Sequence, residues 1–141
     1  MTTGETPIPG TSQSAEITSH AAEPDAAERH FAAKLRYETD CWDTNEALRS
    51  GADDVVVLDV RSTAAYDAGH VPGSHSLPWR EITSERLDSL SPDALFVVYC
   101  AGPHCNGADK AALRIARLGR RVKIMIGGHH GWQVEGLPLE T

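Results

Sequence analysis

Three short, nearly unbroken apolar runs constrain what this chain can fold into: Val55-Val-Val-Leu-Asp-Val60, Leu95-Phe-Val-Val-Tyr99 and Val122-Lys-Ile-Met-Ile126. A strand with one wet face alternates apolar and polar residues. These runs do not, so each is predicted to be buried on both faces. Helical patterns lie between them. One starts at Asp25, carries Ala27, Phe31 and Leu35 on one face and ends near Thr39. Asp43-Thr-Asn-Glu46 reads as a capping box for a second helix closed by Gly51. Ser62 caps a short helix carrying Tyr66 that stops at Gly69; His70 to Gly73 is a turn, and a short strand follows through Leu77. Further helical segments are predicted over Trp79 to Leu90, over Ala108 to Leu118 with Gly119 just past its end, and over His129 to Val134. Strands alternating with helices imply an α/β fold with a mostly parallel sheet covered on both faces. Such sheets bind ligands beyond the carboxyl ends of their strands, where Asp59–Arg61, Cys100 and Gly127–His130 all fall.

Composition narrows the function classes. The net charge is −7, from 20 acidic and 13 basic residues, which argues against a nucleic-acid partner. The basic cluster Arg114, Arg117, Arg120, Arg121 and Lys123 reads as a solvated helix end whose cations complement the helix dipole. Residues 1–24 are poor in large apolar side chains and are expected to be a disordered tail, leaving 25–141 as one domain. No secretory pattern and no apolar stretch of membrane-spanning length stands out, so the expectation is a cytoplasmic protein without a membrane partner. Three cysteines do not suggest a disulfide framework. Cys41, beside Trp42, reads as a core residue. Cys100 and Cys105 lack zinc-site spacing, and no metal site is assigned, although His104, His129 and His130 lie in the same stretches.

Cys100 carries the chemistry. It ends the run Leu95–Tyr99, and the loop Ala101-Gly-Pro-His-Cys-Asn-Gly107 joins it to an Ala-rich helix. A thiol between a strand's carboxyl end and a helix N-terminus is expected to have a lowered pKa and to act as a nucleophile. Cys105 has two readings: it resolves an oxidised or persulfidated Cys100 through an internal disulfide, or it fills space beneath the loop.

The chain resembles the single-domain rhodaneses. Leu58-Asp-Val-Arg61 with Tyr66 and Gly69-His-Val-Pro-Gly73 resembles that family's first signature. Val98-Tyr-Cys100 with its glycine-containing loop and Ala-rich helix resembles the active-site segment, and Gly127-Gly128, Trp132 and Gly136-Leu-Pro138 resemble the C-terminal signature. The match runs from about Asp40 to Leu139. It implies a rhodanese-like three-layer fold, with a five-stranded parallel sheet and helices on both faces. It also implies a sulfurtransferase in which Cys100 takes a sulfane sulfur as a persulfide from a small donor and passes it to a thiol or cyanide acceptor, with no cofactor. A persulfide's outer sulfur is an anion that needs converging N–H donors. The amides of Ala101, Gly102, His104, Cys105, Asn106 and Gly107 are the candidate donors, and Arg61 is a candidate substrate-binding residue alongside its reading as the ion-pair partner of Asp59.

The loop departs from the family pattern in carrying no Arg or Lys before Lys110, which disfavours thiosulfate as donor. Ala65 stands where an acidic partner for Arg61 is usual, and Asn106 stands where a phosphatase or arsenate reductase would place its loop arginine. The alternative to an enzyme is a non-catalytic redox-sensing or binding module built on the Cys100/Cys105 pair.

Overall fold

The computed structural model describes residues 14–141. The chain divides into two compact units, residues 1–33 and 34–141. Of the stretch expected to be a disordered tail, residues 1–13 lie outside the described residues. Ala15–Thr18 forms a single helical turn, α1, and α2 spans Pro24–Tyr37. Proline suits the first position of α2 because its missing N–H is one the helix would leave unpaired there anyway.

The second unit holds a five-stranded sheet: β1 (Glu38–Thr39), β2 (Val55–Asp59), β3 (His75–Ser76), β4 (Leu95–Tyr99) and β5 (Val122–Met125). The order is β1-β5-β4-β2-β3 and every pairing is parallel, so β4 is central. The remaining helices are α3 (Cys41–Arg49), α4 (Thr63–Ala68), α5 (Ser84–Leu90), α6 (Gly107–Arg117) and α7 (Gly128–Val134). This is the α/β architecture expected from the three apolar runs.

Alternation along β2 and β4 explains why those runs are apolar throughout. Leu58, Phe96 and Val98 pack with Leu87 of α5 and with Ala111 and Ile115 of α6 in one cluster. Val57, Val97 and Tyr99 pack with Cys41 of α3, Met125 and Trp132 of α7 in the other. Successive side chains point to opposite faces, and both faces are covered. Cys100 belongs to the first cluster, on the α6 side.

Several boundaries differ from the sequence reading, each through a local competitor. The cap of α3 is Asp40, whose carboxylate accepts from the Asp43 amide at 2.8 Å, so the helix starts ahead of the expected box. The predicted helix over 79–90 divides into a 3-10 turn (Trp79–Glu81) and α5, because Thr83 caps α5 through the Arg86 amide. Phe31 and Leu35 are exposed, so the stripe on α2 is not core. Cys41 is buried in the core as expected. Strand β1 was not foreseen at all. Ser62 and Gly119 act as read: the Ser62 hydroxyl accepts from the Ala65 amide, and Gly119 has φ +79°, the left-handed conformation that ends a helix.

A buried polar network anchors the carboxyl end of β2. The Asp59 carboxylate accepts from the Tyr99 hydroxyl at 2.7 Å and from Arg61 through Nε at 3.0 Å and Nη2 at 2.6 Å. The Tyr99 oxygen in turn accepts from the Val71 amide at 3.1 Å. Burial first, and then the Asp59 charge, raise the Tyr99 phenol pKa, so the hydroxyl stays a donor. Replacing Tyr99 with Phe strips one partner from Asp59 and one from Val71. Equilibrium urea unfolding of Tyr99→Phe is expected to show a loss of about 1–3 kcal/mol. An unchanged midpoint would mean that the network contributes nothing to stability.

Candidate active site

Cys100 leaves the end of β4 and is 7% exposed. Its loop is held from outside by the first turn of α7. The His129 amide donates to the Cys100 carbonyl at 2.9 Å, and the His130 amide donates to the Ala101 carbonyl at 2.8 Å. These are N–H groups that a helix start leaves without intrahelical partners. In a trans peptide the N–H points opposite to the carbonyl, so fixing the Cys100 carbonyl toward α7 turns the Ala101 N–H back toward the sulfurs. Gly128 makes the approach possible. It has φ +60°, and a Cβ there would meet the Cys100 carbonyl oxygen at 2.5 Å.

The two loop thiols face each other, with Cys100 Sγ and Cys105 Sγ 2.7 Å apart. Both cysteines, like Cys41, are free thiols in the structure. The Gly107 amide, at the start of α6, donates to Cys105 Sγ at 3.4 Å, so this sulfur caps the helix in place of the Asn106 side chain, which makes no cap bond. The Ala101 amide also faces the pair. Gly107 leaves the sulfurs their space: a Cβ there would lie 2.7 Å from Cys100 Sγ and 3.4 Å from Cys105 Sγ.

The expected lowering of the Cys100 pKa is overturned. Burial, and then its hydrogen bond to Cys105, push the Cys100 thiol up to about 11. The Cys105 thiol moves the other way, held below the ordinary range by the Cys100 hydrogen bond and then by the Gly107 amide. Desolvation disfavours the thiolate at the deeper sulfur, while the Ala101 and Gly107 amides face both sulfurs. Of the two sulfurs, Cys105 is the one that more readily carries the negative charge.

The other predicted site residues lie around this pair. The Cys105 amide does not face the sulfurs, because it closes a turn onto the Gly102 carbonyl at 3.0 Å. Gly102 is buried between the His104 ring, the His130 Cβ and Gly128, and His104 is exposed. Asn106 is exposed, and its carbonyl accepts from the Lys110 amide. Arg61 is engaged by Asp59 and by the Gly69 carbonyl at 2.7 Å, and its side chain is 10% exposed. It is the buried partner of Asp59, and Gly69 supplies the second acceptor that Ala65 lacks. Burial, and then the Arg61 charge, lower the His129 pKa, and its buried Nε2 has no hydrogen-bond partner. Trp79 borders the loop's core cluster and carries Arg80, Lys110 and Arg114 around its ring, whereas Trp132 is fully buried.

A cleft of about 430 Å³ opens onto the loop, with Cys100, Cys105, Pro103, Ile126 and Gly128 among its walls and the Lys34–Glu38 ion pair beside them. A recess of about 540 Å³ on the loop's outer side is lined by Ala101, His104, Cys105 and Asn106. Cys105 lines both spaces, and Cys100 lines only the first. Among the described residues, no group of three or more His, Cys, Asp or Glu could hold a metal ion, and no helix is long and apolar enough to cross a membrane. The sequence offers the thiol pair as one reading of Cys105, but not the contact of Gly107 with Cys100 Sγ. The Gly127-Gly128 pair was its one visible trace of the α7 clamp.

Fold and site define a parallel α/β protein whose central strand ends in a cysteine-bearing loop closed by two helix N-termini. The chain belongs to the rhodanese-like domain family, whose model matches residues 44–135. It is similar over 93 residues, at 41% identity, to the HTH-type transcriptional regulator Rv0324 of Mycobacterium tuberculosis; the match covers 65% of this chain but 40% of that protein. Over 81 residues it is 30% identical to the thiosulfate sulfurtransferase GlpE of Pseudoalteromonas translucida, covering 57% of this chain and 75% of the relative. Among solved structures, the BH2092 protein of Bacillus halodurans superposes with a TM-score of 0.80 at 41% identity, covering 84% of this chain and 86% of that one.

The thiol geometry predicts an order of reactivity. At neutral pH, iodoacetamide is expected to label Cys105 ahead of Cys100, as read by peptide mass mapping, because alkylation follows the thiolate. In Cys105→Ala the Cys100 thiol loses the sulfur it donates to, and its alkylation midpoint is expected to move to lower pH. A midpoint that stays put or rises contradicts the shared proton.

Proposed function

We propose that this domain is a sulfurtransferase in which Cys100 carries a sulfane sulfur as a persulfide. The observation that carries the reading is the seating of Cys100 Sγ at the end of the central strand, against Gly107 and beside the Ala101 and Gly107 amides. Family membership and the relative named as a thiosulfate sulfurtransferase support it. The donor is a small persulfide rather than thiosulfate, since residues 101–109 contain no Arg or Lys to hold a sulfonate. As the donor enters, Cys105 Sγ, 2.7 Å away, is placed to take the Cys100 proton. The Cys100 thiolate attacks the donor's outer sulfur, and the donor thiolate leaves. The reaction needs no cofactor, the persulfide is consumed by a second thiol, and the setting is cytoplasmic.

The test uses Cys105→Ser, in which no neighbouring thiol can consume the product and Cys100, freed of the sulfur that, beyond burial, raises its pKa, ionises to solvent. Exposure to glutathione persulfide is expected to add about 32 Da, one sulfur, on the Cys100 peptide. No gain is expected once Cys100 is also Ser. Absence of the adduct in Cys105→Ser with an intact fold by circular dichroism would sink the reading. Gly107→Ala, whose methyl must displace the Cys100 sulfur, is expected to slow adduct formation about tenfold or more.

A second reading, a thiol-based sensor, is favoured by the adjacency of the two sulfurs and by the regulator-named relative, of which this chain spans about two fifths. Peroxide titration separates the two readings. A sensor loses both thiols together within seconds to minutes at low peroxide and takes up no sulfur from the persulfide.

A further inference from the structure

A sulfur carrier needs one nucleophilic thiol, yet this loop builds two into contact. Cys105 Sγ lies 2.7 Å from Cys100 Sγ and occupies the place where the Gly107 amide donates. An outer persulfide sulfur on Cys100 therefore meets an anion seat already filled by the protein's own sulfur. Cys105 lines both the inner cleft and the outer recess, so an external thiol can reach it from either, whereas Cys100 is reached only through the cleft. The loop also spans the pair closely enough for a bond to form, since the sulfurs need to approach only to a disulfide length of about 2.05 Å.

We propose that Cys105 is a second catalytic nucleophile that makes this domain a sulfane-sulfur reductase: it attacks the inner sulfur of the Cys100 persulfide, expels hydrosulfide, and leaves a Cys100–Cys105 disulfide for an external dithiol to reduce. The inference rests on the persulfide reading above. The Cys105 thiol, protonated when Cys100 took up its sulfur, forms the Sγ–Sγ bond as the bond from Cys100 Sγ to the outer sulfur breaks. Its proton goes to the departing sulfur, which leaves with the electron pair as hydrosulfide. The sulfane sulfur is reduced, and the two cysteine sulfurs are oxidised to the disulfide. A small or protein-borne dithiol then attacks Cys105, the more accessible sulfur. It becomes a disulfide itself and restores both thiols. Attack falls on the inner sulfur because that is the atom Cys105 already touches. The substrate class is thus a low-molecular-weight persulfide plus a dithiol, and the product is hydrosulfide rather than a persulfidated acceptor.

The experiment compares the reduced full chain with Cys105→Ser and Cys105→Ala after addition of one equivalent of glutathione persulfide, following sulfide with a selective electrode and protein by intact mass. The wild type is expected to release about one equivalent of hydrosulfide and to end about 2 Da lighter, with both loop thiols blocked to alkylation. Both variants are expected to hold the added sulfur and release none in a burst. With dithiothreitol as the dithiol, the wild type is expected to turn over about tenfold faster or more than either variant, in line with an intramolecular nucleophile. The inference is overturned if the wild type retains the adduct with its Cys105 thiol free, if Cys105 itself carries the added sulfur, or if the variants release sulfide as fast as the wild type. Absence of any adduct in both variants overturns the carrier reading and this one with it.

Discussion

Everything at the site depends on two backbone hydrogen bonds, from the His129 and His130 amides of α7 to the carbonyls of Cys100 and Ala101. They settle two problems together. The start of α7 has N–H groups with no intrahelical acceptor, and the loop after β4 has carbonyls that would otherwise be free to turn toward the sulfur. Joining the two sets satisfies both and leaves the Ala101 N–H facing inward. The joint is possible because Gly128 has no side chain to hold the backbones apart. Sulfur chemistry at β4 is therefore set by a glycine that follows β5.

Within that frame, burial and donor placement compete for the thiolate. Cys100 sits in the α6-side core, where the charged form is disfavoured. Cys105 sits just ahead of α6 and receives the amide that a capping side chain would have received. Position at a strand end is thus insufficient to activate a thiol. Cys100 instead shares a hydrogen bond with Cys105, whose sulfur lies 2.7 Å away. Asp59, Arg61 and Tyr99 are kept out of this chemistry, since they satisfy one another and tie β2 to β4 and to the turn after α4.

The features legible in the sequence were those governed by long or strongly patterned stretches. The runs at 55–60, 95–99 and 122–126 all form strands, although the third is only partly covered, with Ile126 exposed, and the Ser62 cap and the glycine after α6 are local enough to read directly. Strand β1 is invisible because two residues, Glu38 and Thr39, are too few to carry a strand pattern and pair with β5 only through tertiary placement. The start of α3 was misplaced because Asp40 and Asp43 are both competent caps, and packing of Cys41 against Gly127 and Gly131 chooses the earlier one. The proton on Cys100 was misjudged because sequence shows a loop's amides but not which of two sulfurs they reach.

The sheet's margins have a consequence for how such a domain lives beside others. Both outermost strands, β1 and β3, are two residues long, whereas the interior strands run to four or five. A foreign strand seeking to extend the sheet by docking along either rim would find at most a couple of free main-chain groups, too few to template growth. The domain can thus be crowded against copies of itself, or carried within a longer polypeptide, without its sheet recruiting neighbours.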